Sequence, residues 1–252
     1  MKKILFALIV IAMVQNSCKK QESNKLTPTQ DHDSVEVSSF KWPNGNTQYS
    51  YDAWRMAYEY DTLIKSPYKD SLSIEKALAD TISNALAAIY NSHFLQRDTV
   101  VKVYNIHNYC DLNLRDIAIA VNDISHGWVA KCWNNQYPTG FALLDSFHNR
   151  FGLSTENVYT FPWDSVIALQ VPLPLNCLKL CQMLTNRPQI KYAELNYCAG
   201  GDGDYIRFYR ENDYYKIIFD HGSDDCPSGC ISHEFWQFNV YKDAKVRFVK
   251  KW

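Results

Sequence analysis

The stretch that decides the fold is DSVIALQVPLPLNCLKLCQMLTNRPQIKYAELN, residues 164–196. Its first part, residues 165–171, is largely apolar, and its side chains would alternate between the two faces of an extended chain. This pattern is typical of a buried β-strand. Two prolines end this strand, and Asn176 is a favourable N-cap for a helix whose apolar residues recur at helical spacing. The Asn-Arg-Pro sequence at 186–188 ends the helix, and residues 189–195 form the next strand. The stretch therefore predicts a strand-helix-strand unit.

The elements before this unit complete a larger pattern. Residues 100–106 (VVKVYNI) are rich in β-branched side chains and predict a strand. Residues 141–151 predict a helix that ends at Gly152, because glycine readily adopts the left-handed conformation that closes many helices. Residues 156–161 predict a further strand. The order is then βαββαβ, that of a ferredoxin-like α+β plait with two helices on one face of a four-stranded antiparallel sheet. Residues 110–136 would be an insertion in the first crossover, and their sequence does not decide between helix and strand.

Two further segments flank the plait. The N-terminal one carries helices at 52–64 and 73–90, which we expect to pack on the plait, and many aromatic side chains over 40–68. We interpret these aromatic residues as core and cover, with stacking on a glycan as the alternative. The C-terminal segment predicts four strands, which either extend the sheet of the plait or form a layer of their own. These strands are expected at 205–209, 215–219, 231–241 and 245–249.

The N-terminus has the pattern of a lipoprotein signal peptide. Two lysines precede an apolar run over 4–14, which is too short for a transmembrane helix, and a serine precedes Cys18. We expect cleavage after residue 17 and a lipid anchor on Cys18; the alternative is an ordinary signal peptide with an incidental cysteine. The predicted organisation is a signal peptide (1–17), a flexible tether (18–38), an N-terminal aromatic and helical segment (39–97), a ferredoxin-like domain (98–197) and a C-terminal β extension (198–252).

The composition of the chain argues against several classes of function. Its 26 basic and 27 acidic residues give a formal net charge of −1, so there is no electrostatic case for a nucleic-acid partner. A hydrophobic content of 46% agrees with a folded globule. The sequence has no phosphate-cradling glycine loop, no HExxH and no GxSxG. No combination of residues in the sequence indicates a particular reaction, and we expect neither catalytic residues nor a cofactor.

The most unusual local sequence is HGSDDCPSGCISH, at residues 221–233. We predict a disulfide between Cys226 and Cys230 across a Pro-Ser-Gly turn, because an exported protein meets an oxidising environment. The alternative is a structural zinc site with the ligands His221, Cys226, Cys230 and His233, two nitrogens and two sulfurs.

The sequence says less about the pairing of the other cysteines. Cys177 and Cys181 lie on the apolar face of a predicted helix and are interpreted as small hydrophobic side chains. Cys110, Cys132 and Cys198 remain, and any two of them are candidates for pairing.

A glycine-rich loop, GGDGD at residues 200–204, offers two carboxylates that a calcium ion would accept. It lacks the ligand spacing and the closing glutamate of a helix-loop-helix calcium site. We favour a plain turn, with Asp202 and Asp204 as candidate metal ligands in the alternative.

The strand-helix-strand unit resembles the end of the propeptide domain of subtilisin-type proteases and of their stand-alone inhibitor relatives. Those domains are ferredoxin-like and end with a helix, an Asn/Pro-containing turn and a strand whose pattern is filled here by Pro188, Ile190, Tyr192, Ala193, Glu194 and Asn196. In the family, the sheet face packs on the protease and the segment after the last strand lies in the protease cleft. The resemblance covers residues 100–196 and implies that Tyr192, Glu194 and Asn196 contact a partner. The whole chain is also similar to secreted lipoproteins of Gram-negative bacteria, which implies no activity.

We therefore expect a cell-envelope lipoprotein, held on a membrane through its N-terminal lipid, that acts as a protein-binding module and resembles a protease propeptide or inhibitor. One alternative is a surface module that binds glycan or matrix through the aromatic residues of the N-terminal segment. The other is a hydrolase with an unrecognised site. A cleft with His221 or His233 beside a free cysteine would favour the hydrolase.

Overall fold

The computed structural model describes residues 35–43, 47–63, 70–108, 115–123, 125–161, 165–172, 175–195 and 202–252. Within these ranges the chain forms six α-helices and nine strands in two antiparallel sheets, so the protein is α+β. In chain order the elements are β1 (Val35–Val37), α1 (Thr47–Leu63), α2 (Lys76–Asn91), α3 (Leu95–Asp98), β2 (Asp116–Val121), α4 (Gly127–Trp133), α5 (Ala142–Phe151), β3 (Ser154–Thr160), β4 (Ser165–Gln170), α6 (Cys177–Thr185), β5 (Ile190–Leu195), β6 (Tyr205–Arg210), β7 (Tyr214–Ser223), β8 (Ser232–Tyr241) and β9 (Lys245–Lys251).

Several predictions from the N-terminal sequence lie outside these ranges. They are the signal peptide, the lipid anchor on Cys18 and most of the tether. None of the helices in the described ranges is long and apolar enough to cross a membrane.

The first sheet has the strand order β3-β4-β2-β5. Helix α5 lies in the connection from β2 to β3, and α6 connects β4 to β5. Because side chains alternate between the faces of a strand, every second residue of β2 and β4 faces these helices. The resulting core joins Ile117, Ile119, Ile167 and Leu169 of the sheet to Leu144, Phe147, Leu180 and Leu184 of the helices.

Asn176 starts α6 as the sequence predicts, and it also joins the two halves of the fold. Its Oδ1 accepts a hydrogen bond from the Lys179 N–H at 3.0 Å, which caps the helix. Its Nδ2 donates to the Ser71 carbonyl at 3.1 Å, and its backbone N–H donates to the Leu72 carbonyl at 2.8 Å. The side chain is buried, so both of its polar groups depend on these partners.

We expect Asn176→Ala to lower the free energy of unfolding by about 2 kcal/mol, because it removes a helix cap worth about 1 kcal/mol and a buried side-chain hydrogen bond of similar value. Equilibrium unfolding in urea measures the change. Asn186→Ala, at the exposed end of the same helix, is the matched control and should change stability by less than about 0.5 kcal/mol. Equal losses in the two variants would contradict the capping role.

The second sheet has the order β1-β9-β8-β7-β6 and packs against α1 and α2. Phe219 of β7 and Trp236 of β8 are paired in register and lie in the same core as Met56 of α1 and Ile82 of α2. The four C-terminal strands predicted from the sequence are all present, and they form a sheet of their own with β1. The N-terminal helices lie on this sheet, so the prediction that they pack on the plait is wrong.

The aromatic residues of the N-terminal segment contribute to this core. Tyr49 and Tyr58 are buried, and Trp42 stacks on Tyr49 with 5.5 Å between the ring centroids. Trp54 and Tyr60 are partly buried against the same cluster. Among these described aromatic residues, the interpretation as core and cover is therefore confirmed.

The predicted strand at 100–106 is wrong. Helix α3 runs directly into a π-helical turn, Thr99–Val103, and Val100, Val101 and Ile106 are buried in the core with α2. The β-branched side chains are accommodated because burial against a neighbouring helix outweighs a strand propensity that spans only about 1 kcal/mol. The first strand of the four-stranded sheet is β2, so residues 110–136 contain β2 and α4 and are not an insertion.

Candidate functional site

One face of the four-stranded sheet points away from α5 and α6. The register places Tyr159, Val166, Ala120 and Tyr192 in one row across the strands, and Asn157, Ala168, Ala118 and Glu194 in the next. We call these eight residues the outer face. Its centre consists of small apolar side chains, of which Ala120 and Ala168 are buried (0% and 4% exposed) and Ala118 and Val166 are partly exposed. Tyr159 is 48% exposed at one edge, and Tyr192 is partly exposed at the other.

Two of the three predicted partner-binding residues lie on this outer face. Tyr192 and Glu194 are separated by one residue on β5, so they share a face, and Ala193 between them packs into the core. Asn196, the third, lies outside the described residues.

The two edge strands of this sheet are partly capped by their own side chains. On β5 the Ala193 N–H donates to Thr185 Oγ1 at 3.1 Å, and on β3 the Val158 N–H donates to Asn157 Oδ1 at 2.8 Å. Both edges also carry a register shift, at Glu156 of β3 and at Lys191 of β5. Such features discourage pairing with a foreign strand. The outer face is therefore a better docking surface than either edge.

A second candidate site lies on the five-stranded sheet, around His233. Its Nδ1 is 2.7 Å from Oδ1 of Asp220, and Oδ2 of the same carboxylate accepts a hydrogen bond from Arg207 Nη2 at 2.8 Å. The Asp220 side chain is 0% exposed, so its charge depends on these two partners. Because a carboxylate only accepts, Nδ1 carries the proton, and whenever the ring is neutral Nε2 keeps a lone pair. That Nε2 lies 3.6 Å from Oδ2 of Asp202.

His221 is built into a separate arrangement. Its Nδ1 lies 2.8 Å from Oδ1 of Asp204, and its ring stacks on Tyr104 with 3.9 Å between the centroids. Alternation along β7 puts His221 on the opposite face from Asp220 and Gly222, and the register pairs Gly222 with His233. The two histidines of the predicted zinc alternative therefore face different sides of the sheet.

Cys226 and Cys230 form a disulfide, as the sequence predicts. The loop between them begins with a 3₁₀ turn, Cys226–Ser228, and passes through Gly229 at φ 112°, a left-handed conformation that favours glycine. The Asp202 N–H donates to the Cys226 carbonyl at 2.8 Å, which holds Asp202 beside the loop.

Gly222 allows this loop to approach the sheet closely. A Cβ at this position would lie 2.9 Å from the Gly203 carbonyl oxygen and 3.1 Å from Cys230 Cβ, and it would also contact Cys230 Sγ. Asp202, Cys230 and His233 are consequently brought together, with one potential ligand atom from each within 4.8 Å of the others. Of the two carboxylates named as candidate metal ligands in the alternative to a plain turn, Asp202 joins this group, and Asp204 instead binds His221.

Of the remaining described cysteines, Cys132 and Cys181 are free and buried, and Cys177 is buried as well. Burial raises the pKa of Cys132 to about 11 and the pKa values of Cys177 and Cys181 to about 12, so these thiols stay protonated at neutral pH. Cys177 and Cys181 lie on the core side of α6, as interpreted from the sequence. Cys110 and Cys198 lie outside the described residues.

The sequence did not single out Arg207, nor Asp220 as the partner of His233. A signal for Asp220 was present, because an acid within the apolar run YYKIIFD needs a buried partner if the run is a strand. Its identity as the partner of His233 depends on the register between β7 and β8, which no local pattern specifies.

Comparison of the chain with models of protein families, with curated proteins and with solved structures finds no match. The geometry of its own residues is therefore the basis for inferring what it does.

Proposed function

We propose that the protein is a lipid-anchored component of the cell envelope that binds another protein through the outer face of its four-stranded sheet. The observation that carries this proposal is the outer face itself, whose accessible part includes Tyr159 and Tyr192 on either side of small apolar side chains. Tyrosine is enriched in protein interfaces because its ring supplies contact area and its hydroxyl a hydrogen bond. The lysines, apolar run and cysteine of residues 2–18 support the anchoring.

We also assign residues 115–195 to the ferredoxin-like fold. The chain order β2-α5-β3-β4-α6-β5 is βαββαβ, and the order β3-β4-β2-β5 puts the first strand between the third and the fourth. Both helices contribute to the core on one face, and we assign the other face to a partner. In the propeptide domains that this segment resembles, the same face packs on the protease.

We propose a subtilisin-type protease as the partner. Glu194 is exposed at the β5 side of the outer face, where its carboxylate would complement a basic group or a helix N-terminus on the protease. The segment after β5 leads into β6 of the five-stranded sheet, so it is tethered at both ends, unlike the tail of a propeptide. We therefore propose that the chain docks through its sheet face, as the propeptide domains do, and not through a free tail.

The test is binding of the purified chain to a panel of catalytically inactivated subtilisin-type proteases, followed by biolayer interferometry. We expect at least one dissociation constant in the micromolar range or tighter. Tyr159→Arg should weaken that binding at least about tenfold, because the change puts an unpaired cation on the outer face. Leu178→Arg is the matched control, since Leu178 is 41% exposed on α6, on the other side of the same sheet, and this variant should bind normally.

Two results would overturn the proposal. One is a panel in which no protease binds; the other is an equal loss of binding in both variants. Circular dichroism of each variant before the assay separates a binding defect from misfolding.

A further inference from the structure

We propose that Asp202, Cys230 and His233 form a zinc site that the Cys226–Cys230 disulfide keeps closed and that reduction of this disulfide opens. The three side chains offer a carboxylate oxygen, a sulfur and an imidazole nitrogen within 4.8 Å of one another. Zinc binds such ligands at about 2.0–2.3 Å each, so a small adjustment of the side chains is enough to bring the three atoms onto one ion. The site lies on the five-stranded sheet and is independent of the proposed docking face.

His233 is oriented for binding a metal. A zinc-bound histidine almost always donates its second ring N–H to a carboxylate or a carbonyl, which fixes the tautomer and the direction of the ring. His233 has this arrangement, because its Nδ1–H donates to Asp220 while its Nε2 points toward Asp202 at 3.6 Å. Asp220 is in turn held by Arg207 at 2.8 Å. This chain of contacts stabilises one ring orientation with a free lone pair.

The disulfide decides whether the third ligand is available. In the oxidised chain Cys230 Sγ is bonded to Cys226, and a disulfide sulfur is a poor ligand because it carries no negative charge. Asp202 and His233 alone then give two ligands, too few for tight binding of zinc. Cys230, Asp202 and His233 are all partly exposed, so a reductant and a metal ion can both reach them.

Opening the site consumes two electrons and two protons from a dithiol. The dithiol becomes a disulfide, the Cys226–Cys230 bond breaks, and both cysteines become thiols. Zinc then displaces the proton from the Cys230 thiol and binds the thiolate, Nε2 of His233 and the carboxylate of Asp202. A thiolate together with an imidazole favours zinc over calcium or magnesium, which prefer oxygen ligands.

The first test compares zinc binding by the purified chain before and after reduction with a phosphine, under anaerobic conditions. Zinc retained after gel filtration is measured by mass spectrometry, and alkylation counts the free thiols in parallel. We expect the reduced chain to retain about one zinc ion more than the oxidised chain. Cys226→Ser frees Cys230 permanently, so this variant should bind zinc without any reductant. Equal zinc content in the oxidised chain, the reduced chain and Cys226→Ser would overturn the proposal.

The second test assigns the ligands in the Cys226→Ser background, with a chromogenic chelator as competitor. Adding Cys230→Ser, His233→Gln or Asp202→Asn should weaken zinc binding at least about tenfold. Asp220→Ala should weaken it by about 10- to 100-fold, because it removes the acceptor that orients the ring of His233. His221→Gln is the matched control and should leave the affinity unchanged. Asp202 is partly exposed in a loop, so Asp202→Asn keeps the test decisive even where a change in the sheet impairs folding. Unchanged affinity in Asp202→Asn and His233→Gln would contradict the assignment.

Discussion

Replacing Trp236 by alanine should lower the free energy of unfolding by about 4 kcal/mol, the largest effect that we expect from a single substitution. Trp236 is 1% exposed in the middle of the five-stranded sheet, where β8 lies between β7 and β9. Its ring is 5.5 Å from the ring of Tyr104, and the Lys251 ammonium lies 4.8 Å from its centroid. Its removal leaves a cavity between the sheet and its helices that the packed neighbours fill only partly.

Guanidinium unfolding followed by circular dichroism measures this loss, with the slope of the transition as a check on two-state behaviour. Trp133→Ala is the matched control because Trp133 is 56% exposed at the end of α4, and it should cost less than about 1 kcal/mol. Similar losses for the two tryptophans would contradict the described core.

Above pH 9 the free energy of unfolding should fall steeply as the pH rises. Burial raises the pKa values of Cys132, Cys177 and Cys181 from the ordinary value of 9.0 to about 11, 12 and 12. Between pH 9 and 11 these thiols ionise in the unfolded chain and stay protonated in the folded one, so the folded state binds more protons and loses stability with each step in pH. Below about pH 8 the thiols are almost fully protonated in both states, and this contribution hardly varies.

Each thiol contributes up to about 1.4 kcal/mol per pH unit in this window. Guanidinium unfolding at a series of pH values from 8 to 11 gives the slope. Cys177→Ala should make the slope between pH 10 and 11 shallower by about the contribution of one thiol, because that residue no longer releases a proton on unfolding. An unchanged slope would show that Cys177 ionises equally in both states.

The elements that the sequence predicts well are those with explicit boundary signals. Asn176 caps α6 through its own side chain, and Gly152 ends α5 at φ 77°, the left-handed conformation that glycine tolerates. Strand β4, helix α6 and strand β5 accordingly lie within one or two residues of their predicted bounds. Such signals are local, so a single sequence carries them.

The errors concern contacts between distant parts of the chain. Val100 and Val101 favour a strand locally, but they are buried beside α2 in a helical conformation. The apolar face of α2 indicates that the helix packs on another element, yet nothing in that face distinguishes the five-stranded sheet from the four-stranded one. The group of side chains around His233 was not predicted for the same reason. Its cysteines are close in sequence, but Asp202 and Asp220 reach it only through the fold of the loop and the register of the strands.

The central claim is that the outer face of the four-stranded sheet docks on a subtilisin-type protease. Site-specific photo-crosslinking tests it most directly, with a benzophenone side chain placed at position 159 of the outer face or at position 178 of α6, and with each inactivated protease of the panel added in turn. We predict a covalent chain–protease adduct from position 159 and none from position 178. Adducts from both positions in equal yield, or from neither, would contradict the claim.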